Sequence, residues 1–146
     1  MKLTIASALI MGVAAFPAFA GGHASGDAAE GEKAFRQCKA CHAIVDADGN
    51  EVMKGGKTGP NLWGVPVRTA GTTDFKYKKS IVEAGEGGLV WDEASFVAYV
   101  QDPTAYLKEV TGDSKARSGM SFKVRKEEDA VNLWAYIASV SPEPGS

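Results

Sequence analysis

The strongest apolar periodicity in this chain of 146 residues lies near its C-terminal end, where Ala130, Leu133, Trp134, Ile137 and Val140 recur at helical spacing. Glu127, Glu128 and Asp129 precede that stripe, where the positive end of a helix dipole favours acids, so a helix is predicted from there onward. The stripe is core and specifies no chemistry. Three other helical segments can be read. The first begins at Asp27, with Asp27 and Glu30 at capping-box spacing, and runs through Phe35 towards Cys38. Gly31 falls inside it. A mid-helix Gly costs about 1 kcal/mol relative to Ala, which points to the close approach of another helix. The second runs from about Asp74 to Ala84 and stops at Gly85. The third follows Trp91-Asp92, carries Phe96, Tyr99 and Val100 on one side, and is ended by Asp102-Pro103. No alternating or β-branched strand run occurs near residue 38.

The remaining long apolar run belongs to another class. Lys2 supplies a positive start, residues 4–16 are uncharged and largely apolar, and Ala18-Phe19-Ala20 is a small-x-small cleavage site. Residues 1–20 therefore read as a cleaved export signal, an uncleaved anchor being the alternative, and residues 21–146 as one domain placed in the periplasm. The biased tail from Ser141 to Ser146 is expected to fray.

Composition narrows the possibilities. With 16 basic and 18 acidic residues the net charge is −2, and loss of Lys2 makes it more acidic still, which argues against nucleic acid. A domain this rich in loops has a sparse apolar core, and a buried macrocycle would complete it.

The chemistry centres on Cys38-Lys39-Ala40-Cys41-His42. Two thiols one helical turn apart can each add to a vinyl group along one porphyrin edge, and the following imidazole can reach the iron: this is the spacing of covalent c-type haem attachment. A redox dithiol should sit beside a βαβ pattern. Structural zinc wants four ligands, and the only other His is His23, on a polar N-terminal arm. A disulfide between Cys38 and Cys41 closes too small a loop to stabilise much and leaves His42 without a role.

Function then turns on the sixth iron position. An open position binds gases or peroxide, whereas a Met thioether closes it and favours electron transfer. Outside the leader only Met53 and Met120 remain. Met53 follows the attachment motif closely and would stay on the His42 side. Met120, within Ser118-Gly119-Met120-Ser121-Phe122, lies in an irregular segment free to cross to the opposite face, and is favoured over a role as gap-filling core.

Several separated motifs together carry a resemblance: Gly31 and Phe35 ahead of the Cys-His motif, Thr58-Gly59-Pro60-Asn61-Leu62, Trp91, Tyr99 with Pro103, Met120 with Phe122, and Leu133-Trp134-Ala135-Tyr136. From Gly31 to Ile137 the chain resembles a class I cytochrome c, most of all the bacterial cytochrome c2 type. The resemblance implies an all-α fold of helices and loops wrapped around one haem c covalently held by Cys38 and Cys41. It implies His42 and Met120 as axial ligands, and the Pro60 carbonyl on the other ring nitrogen of His42. It further implies Ser118 and Tyr99 near the Met120 sulfur, Arg68, Tyr77 and Trp91 around a buried haem propionate, and Gly31 with Tyr136 at the crossing of first and last helices. Two departures stand out. Gly119 replaces the Lys that precedes the Met ligand in short mitochondrial forms, and Thr104 and Ala105 replace lysines after the Asp-Pro pair.

Charge patterning supplies an expected partner surface. Residues 115–126 include Lys115, Arg117, Lys123, Arg125 and Lys126 and no acid, bracketing Met120. A monomer with its positive end at the haem edge suits weak, salt-sensitive docking on acidic membrane complexes. The family implies a soluble monohaem electron carrier rather than an enzyme, passing electrons from a cytochrome bc1 complex to a photosynthetic reaction centre or a terminal oxidase. The competing readings are a haem enzyme or gas sensor with an open sixth position, and a structural domain that folds without haem.

Overall fold

The computed structural model describes residues 24–142. Residues 1–20, read above as an export signal, His23 and the last four residues of the tail lie outside the described residues.

Five α-helices and one short hairpin make up the described fold: α1 (Ala28–Ala34), β1 (Ile44–Val45), β2 (Glu51–Met53), α2 (Lys79–Glu86), α3 (Glu93–Gln101), α4 (Pro103–Thr111) and α5 (Glu127–Ser139). The Asp27 carboxylate accepts from the N–H groups of Ala29 and Glu30 at 2.8 and 2.9 Å and starts α1. The reciprocal half of the expected capping box is not made. The Asp27 N–H donates instead to Asn132 Oδ1 of α5 at 2.8 Å, and Glu30 pairs with Lys33. After Ala34 the chain tightens into a 3-10 turn, Phe35–Gln37, leading into the Cys-His motif.

Helices α1 and α5 cross where Gly31 meets Asn132: a Cβ on Gly31 would stand 1.9 Å from the Asn132 carbonyl oxygen and 2.8 Å from Tyr136 Cβ. The expected helix-to-helix approach is there, with Phe35 packed edge-on against Tyr136. Helix α3 packs on α5, where Phe96 meets Trp134, and α4 packs on α2 and α3. The α5 stripe is buried at Ala130, Leu133, Trp134 and Ile137, widened by Ala135 and Tyr136, while Val140 closes the helix half-buried. The overall architecture is mostly helical, as the sequence led us to expect, with a small sheet in addition.

Three expectations are corrected. The second helix begins at Lys79, not Asp74, and runs through Gly85 to Glu86, with Gly87 as its C-cap. Gly85 does not stop it, because that glycine lies inside the helix against Ala70, whose carbonyl oxygen a Cβ would meet at 2.0 Å. Asp102-Pro103 ends α3 and also starts α4: the Asp102 side chain accepts from the Ala105 N–H at 3.1 Å, and Pro103 takes the first-turn position where a missing N–H is harmless. Finally, a hairpin follows the Cys-His motif, pairing Ile44 with Met53 in two strands too short to produce an alternating pattern. Among the described residues no helix is long and apolar enough to cross a membrane.

Candidate functional site

The motif itself forms a turn. The N–H groups of Cys41 and His42 both donate to the Cys38 carbonyl, at 3.1 and 2.9 Å, which sets Cys38, Cys41 and His42 along one wall of a cavity. Burial, and secondarily the neighbouring Cys41, push the Cys38 thiol up to about 11. No disulfide joins Cys38 to Cys41.

The Thr58–Leu62 loop is laid behind His42 by backbone and side-chain ties. Gly59 N–H donates to the Cys41 carbonyl at 2.8 Å and Leu62 N–H to the Ala43 carbonyl at 3.1 Å. The Asn61 amide does what a paired strand would do, accepting from the Val45 N–H and donating to the Val45 carbonyl at 3.0 and 2.7 Å. The loop brings the Pro60 carbonyl within 2.8 Å of His42 Nδ1. A carbonyl can only accept, so Nδ1 carries the proton and Nε2 keeps its lone pair for a metal. Burial lowers the imidazole below its ordinary range, partly opposed by the Pro60 bond, which keeps the ring neutral at pH 7. The ring lies flat on Gly59, where any Cβ would come within 2.4 Å of Cε1.

Met120 lines the same cavity, of about 410 Å³, on the segment before α5, together with Phe96, Tyr99 and Val100 of α3. Its N–H donates to Ser118 Oγ at 3.0 Å, and that oxygen is hydrogen-bonded to the Tyr99 hydroxyl, also at 3.0 Å. Burial raises the Tyr99 phenol, and its bond to Ser118 opposes the shift. Ser118, Tyr99 and Met120 are thus one connected group. Met53 belongs to the hairpin opposite Ile44 and does not line the cavity.

Arg68, Tyr77 and Trp91 also meet at this cavity. The Val65–Arg68 turn folds back on the segment before α3: Arg68 N–H donates to the Val65 carbonyl at 3.0 Å, and Trp91 N–H to the Arg68 carbonyl at 2.9 Å. Val67, in the middle of the turn, takes φ 61°, a left-handed conformation that a β-branched residue adopts only under constraint. Among the described residues the guanidinium reaches only backbone carbonyls, Trp63 at 3.1 Å and Asn61 at 3.2 Å, and burial lowers its proton affinity. A half-buried cation with no carboxylate partner among the described residues can receive an anion. Trp91 stacks edge-on against Tyr99 at 5.1 Å, and Tyr77 hydrogen-bonds Thr73.

Leu62, Val65, Ile81, Phe96, Leu133 and Ile137 are among the apolar residues that complete the wall. A mainly apolar cavity lined by two thiols, an imidazole, a thioether and the cations Arg68, Lys76 and Lys78 offers a donor set that fits a flat iron macrocycle with acidic substituents.

Sequence reasoning missed three residues around this site. Lys78 lies over Gly119, where a Cβ would stand 3.0 Å from its Cγ, and both Lys76 and Lys78 line the cavity. Asp102, distant in sequence from the basic run, pairs with Lys123 at 2.6 Å and removes one free charge from it. No local pattern could have signalled either contact.

Comparisons with known proteins agree with the geometry. No protein-family model matches the chain. Cytochrome c2 of Cereibacter sphaeroides is 54% identical over 148 residues, covering 99% of this chain and 100% of that protein. Cytochrome c-550 of Paracoccus versutus is 44% identical over 149 residues, covering 100% and 94%. Among solved structures, cytochrome c2 from Rhodobacter sphaeroides superposes with a TM-score of 0.79 at 56% identity, covering 82% of this chain and 99% of that one.

Proposed function

Since the chain belongs to the class I cytochromes c, of the cytochrome c2 type, we propose that it is a soluble, periplasmic monohaem electron carrier with His42 and Met120 as axial ligands. Haem c bound through Cys38 and Cys41 supplies reversible one-electron chemistry between ferric and ferrous iron. The chain's own residues hold that chemistry in place. His42 presents a neutral Nε2, oriented by the Pro60 carbonyl. Met120 closes the opposite side, held through Ser118 and Tyr99. Arg68, Tyr77 and Trp91 receive a propionate, and the apolar wall keeps water from the iron. No side chain acts as a catalyst.

The observation that supports the reading is that His42 and Met120, distant in sequence, line one cavity together with Cys38 and Cys41. Both sides being furnished with a ligand leaves no position for substrate or gas, in contrast to a haem enzyme or sensor. The donor of electrons is a cytochrome bc1 complex and the acceptor a photosynthetic reaction centre or a terminal oxidase, met through the basic run that includes Lys115, Arg117, Arg125 and Lys126. The test is spectroscopic. The reduced protein should resist carbon monoxide at neutral pH, and Met120→Ala should bind it readily. Ready binding by the unaltered protein would sink the closed-site reading.

A further inference from the structure

Between α4 and α5 the chain that carries Met120 forms neither helix nor strand. From Arg117 to Lys123 it makes no main-chain to main-chain hydrogen bond among the described residues; the next such tie is Val124 N–H to the Val100 carbonyl at 2.8 Å. Something else must anchor the approach to Met120. Two consecutive N–H groups are held by side-chain hydroxyls from two different helices. Arg117 N–H donates to Ser80 Oγ, in the first turn of α2, at 3.1 Å, and Ser118 N–H donates to Thr104 Oγ1, in the first turn of α4, at 3.2 Å.

Ser80 is the one buried polar side chain among the described residues, 9% exposed. Neither hydroxyl lines the cavity. Their effect therefore passes through the backbone: Thr104 holds Ser118, and Ser118 Oγ in turn accepts from the Met120 N–H. We propose that Ser80 and Thr104 are positioning residues, a two-helix hydroxyl clamp that keeps Met120 turned towards the sixth iron position. This rests on the axial role of Met120 proposed above. Removing either hydroxyl leaves a partly buried N–H without an acceptor, and the segment, with no strand or helix to restrain it, swings outward to find water.

The test uses the haem-loaded ferric protein at neutral pH with imidazole as an added ligand. Ser80→Ala and Thr104→Val should each speed imidazole entry by about threefold to tenfold, the effect of one net hydrogen bond. Ser80→Thr and Thr104→Ser should keep the parent rate. Amide exchange locates the change independently of the iron: Ser80→Ala should expose the Arg117 N–H and Thr104→Val the Ser118 N–H, while α5 amides such as Leu133 stay protected. The clamp is overturned if the double variant admits imidazole at the parent rate, or if exchange accelerates in α5 as much as at Arg117 and Ser118. Met120→Ala separates the two readings. Should that variant take up imidazole no faster than the parent, the axial assignment is wrong and the clamp loses its purpose, whatever the amides show.

Discussion

The guanidinium of Arg68 is half-buried and, among the described residues, bonded only to the carbonyls of Trp63 and Asn61. A cation beside the haem disfavours the ferric state, which carries one more positive charge. Arg68→Ala should therefore lower the reduction potential, by an amount on the order of tens of millivolts at an effective dielectric near 20. A redox titration checks it, and an unchanged or raised potential would remove Arg68 from the haem's surroundings. A second residue-level expectation concerns Asp102. Its carboxyl is held below the ordinary carboxylate range, first by the hydrogen bond from Lys123 and then by the Ala105 N–H. A depressed acid stabilises the fold above its unfolded value, near 3.9, and loses that contribution as pH falls through the lower folded value. Asp102→Asn should be less stable than the parent at neutral pH, and the two unfolding midpoints should converge as the pH drops below about 3.9. A gap that persisted unchanged in acid would assign the effect to something other than charge.

At the scale of elements, the crossing of α1 and α5 depends on one missing side chain. Gly31→Ala would force a Cβ to within 1.9 Å of the Asn132 carbonyl unless the helices part. We expect a loss of about 1–3 kcal/mol in chemical denaturation, the range for overpacking a close contact, despite the better helix propensity of Ala. Equal or greater stability would mean the helices can separate without penalty. Gly31 was legible because it interrupts an otherwise regular helical pattern. Gly85 was misread by the same logic: a glycine near the end of a periodic run looks like a stop, and only the Ala70 carbonyl pressed against it accounts for its place inside α2. Asp102-Pro103 is a related ambiguity, since the pair that breaks one helix has the chemistry to begin another.

For the molecule as a whole, charge decides how partners are found. Lys126 is exposed, outside any ion pair among the described residues, and stands at the N-terminal cap of α5. Lys126→Glu puts an acid where the helix dipole welcomes it, so the fold should survive while the basic face loses strength. Association with an isolated reaction centre or oxidase should slow a few-fold at low salt and much less at high salt, as screening removes steering. Slowing of equal size at every ionic strength would speak against electrostatic docking. Lys123 is a poorer probe, because its replacement by an acid also sets two carboxylates side by side at Asp102.

What the sequence determined by itself is whatever depends on near neighbours: the turn that brings Cys38, Cys41 and His42 to one wall, the α5 stripe and the side-chain cap at Asp27. Hydrogen bonds and helical spacings reach no further than a few residues, so they leave a mark in the chain itself. Tertiary structure alone decided that Asp102 answers Lys123, that Lys78 lies over Gly119, and that hydroxyls from α2 and α4 meet the Arg117 and Ser118 amides. Those pairings follow from the path of long loops around the core, and a loop's path is set by what it packs against, which its own residues do not spell out.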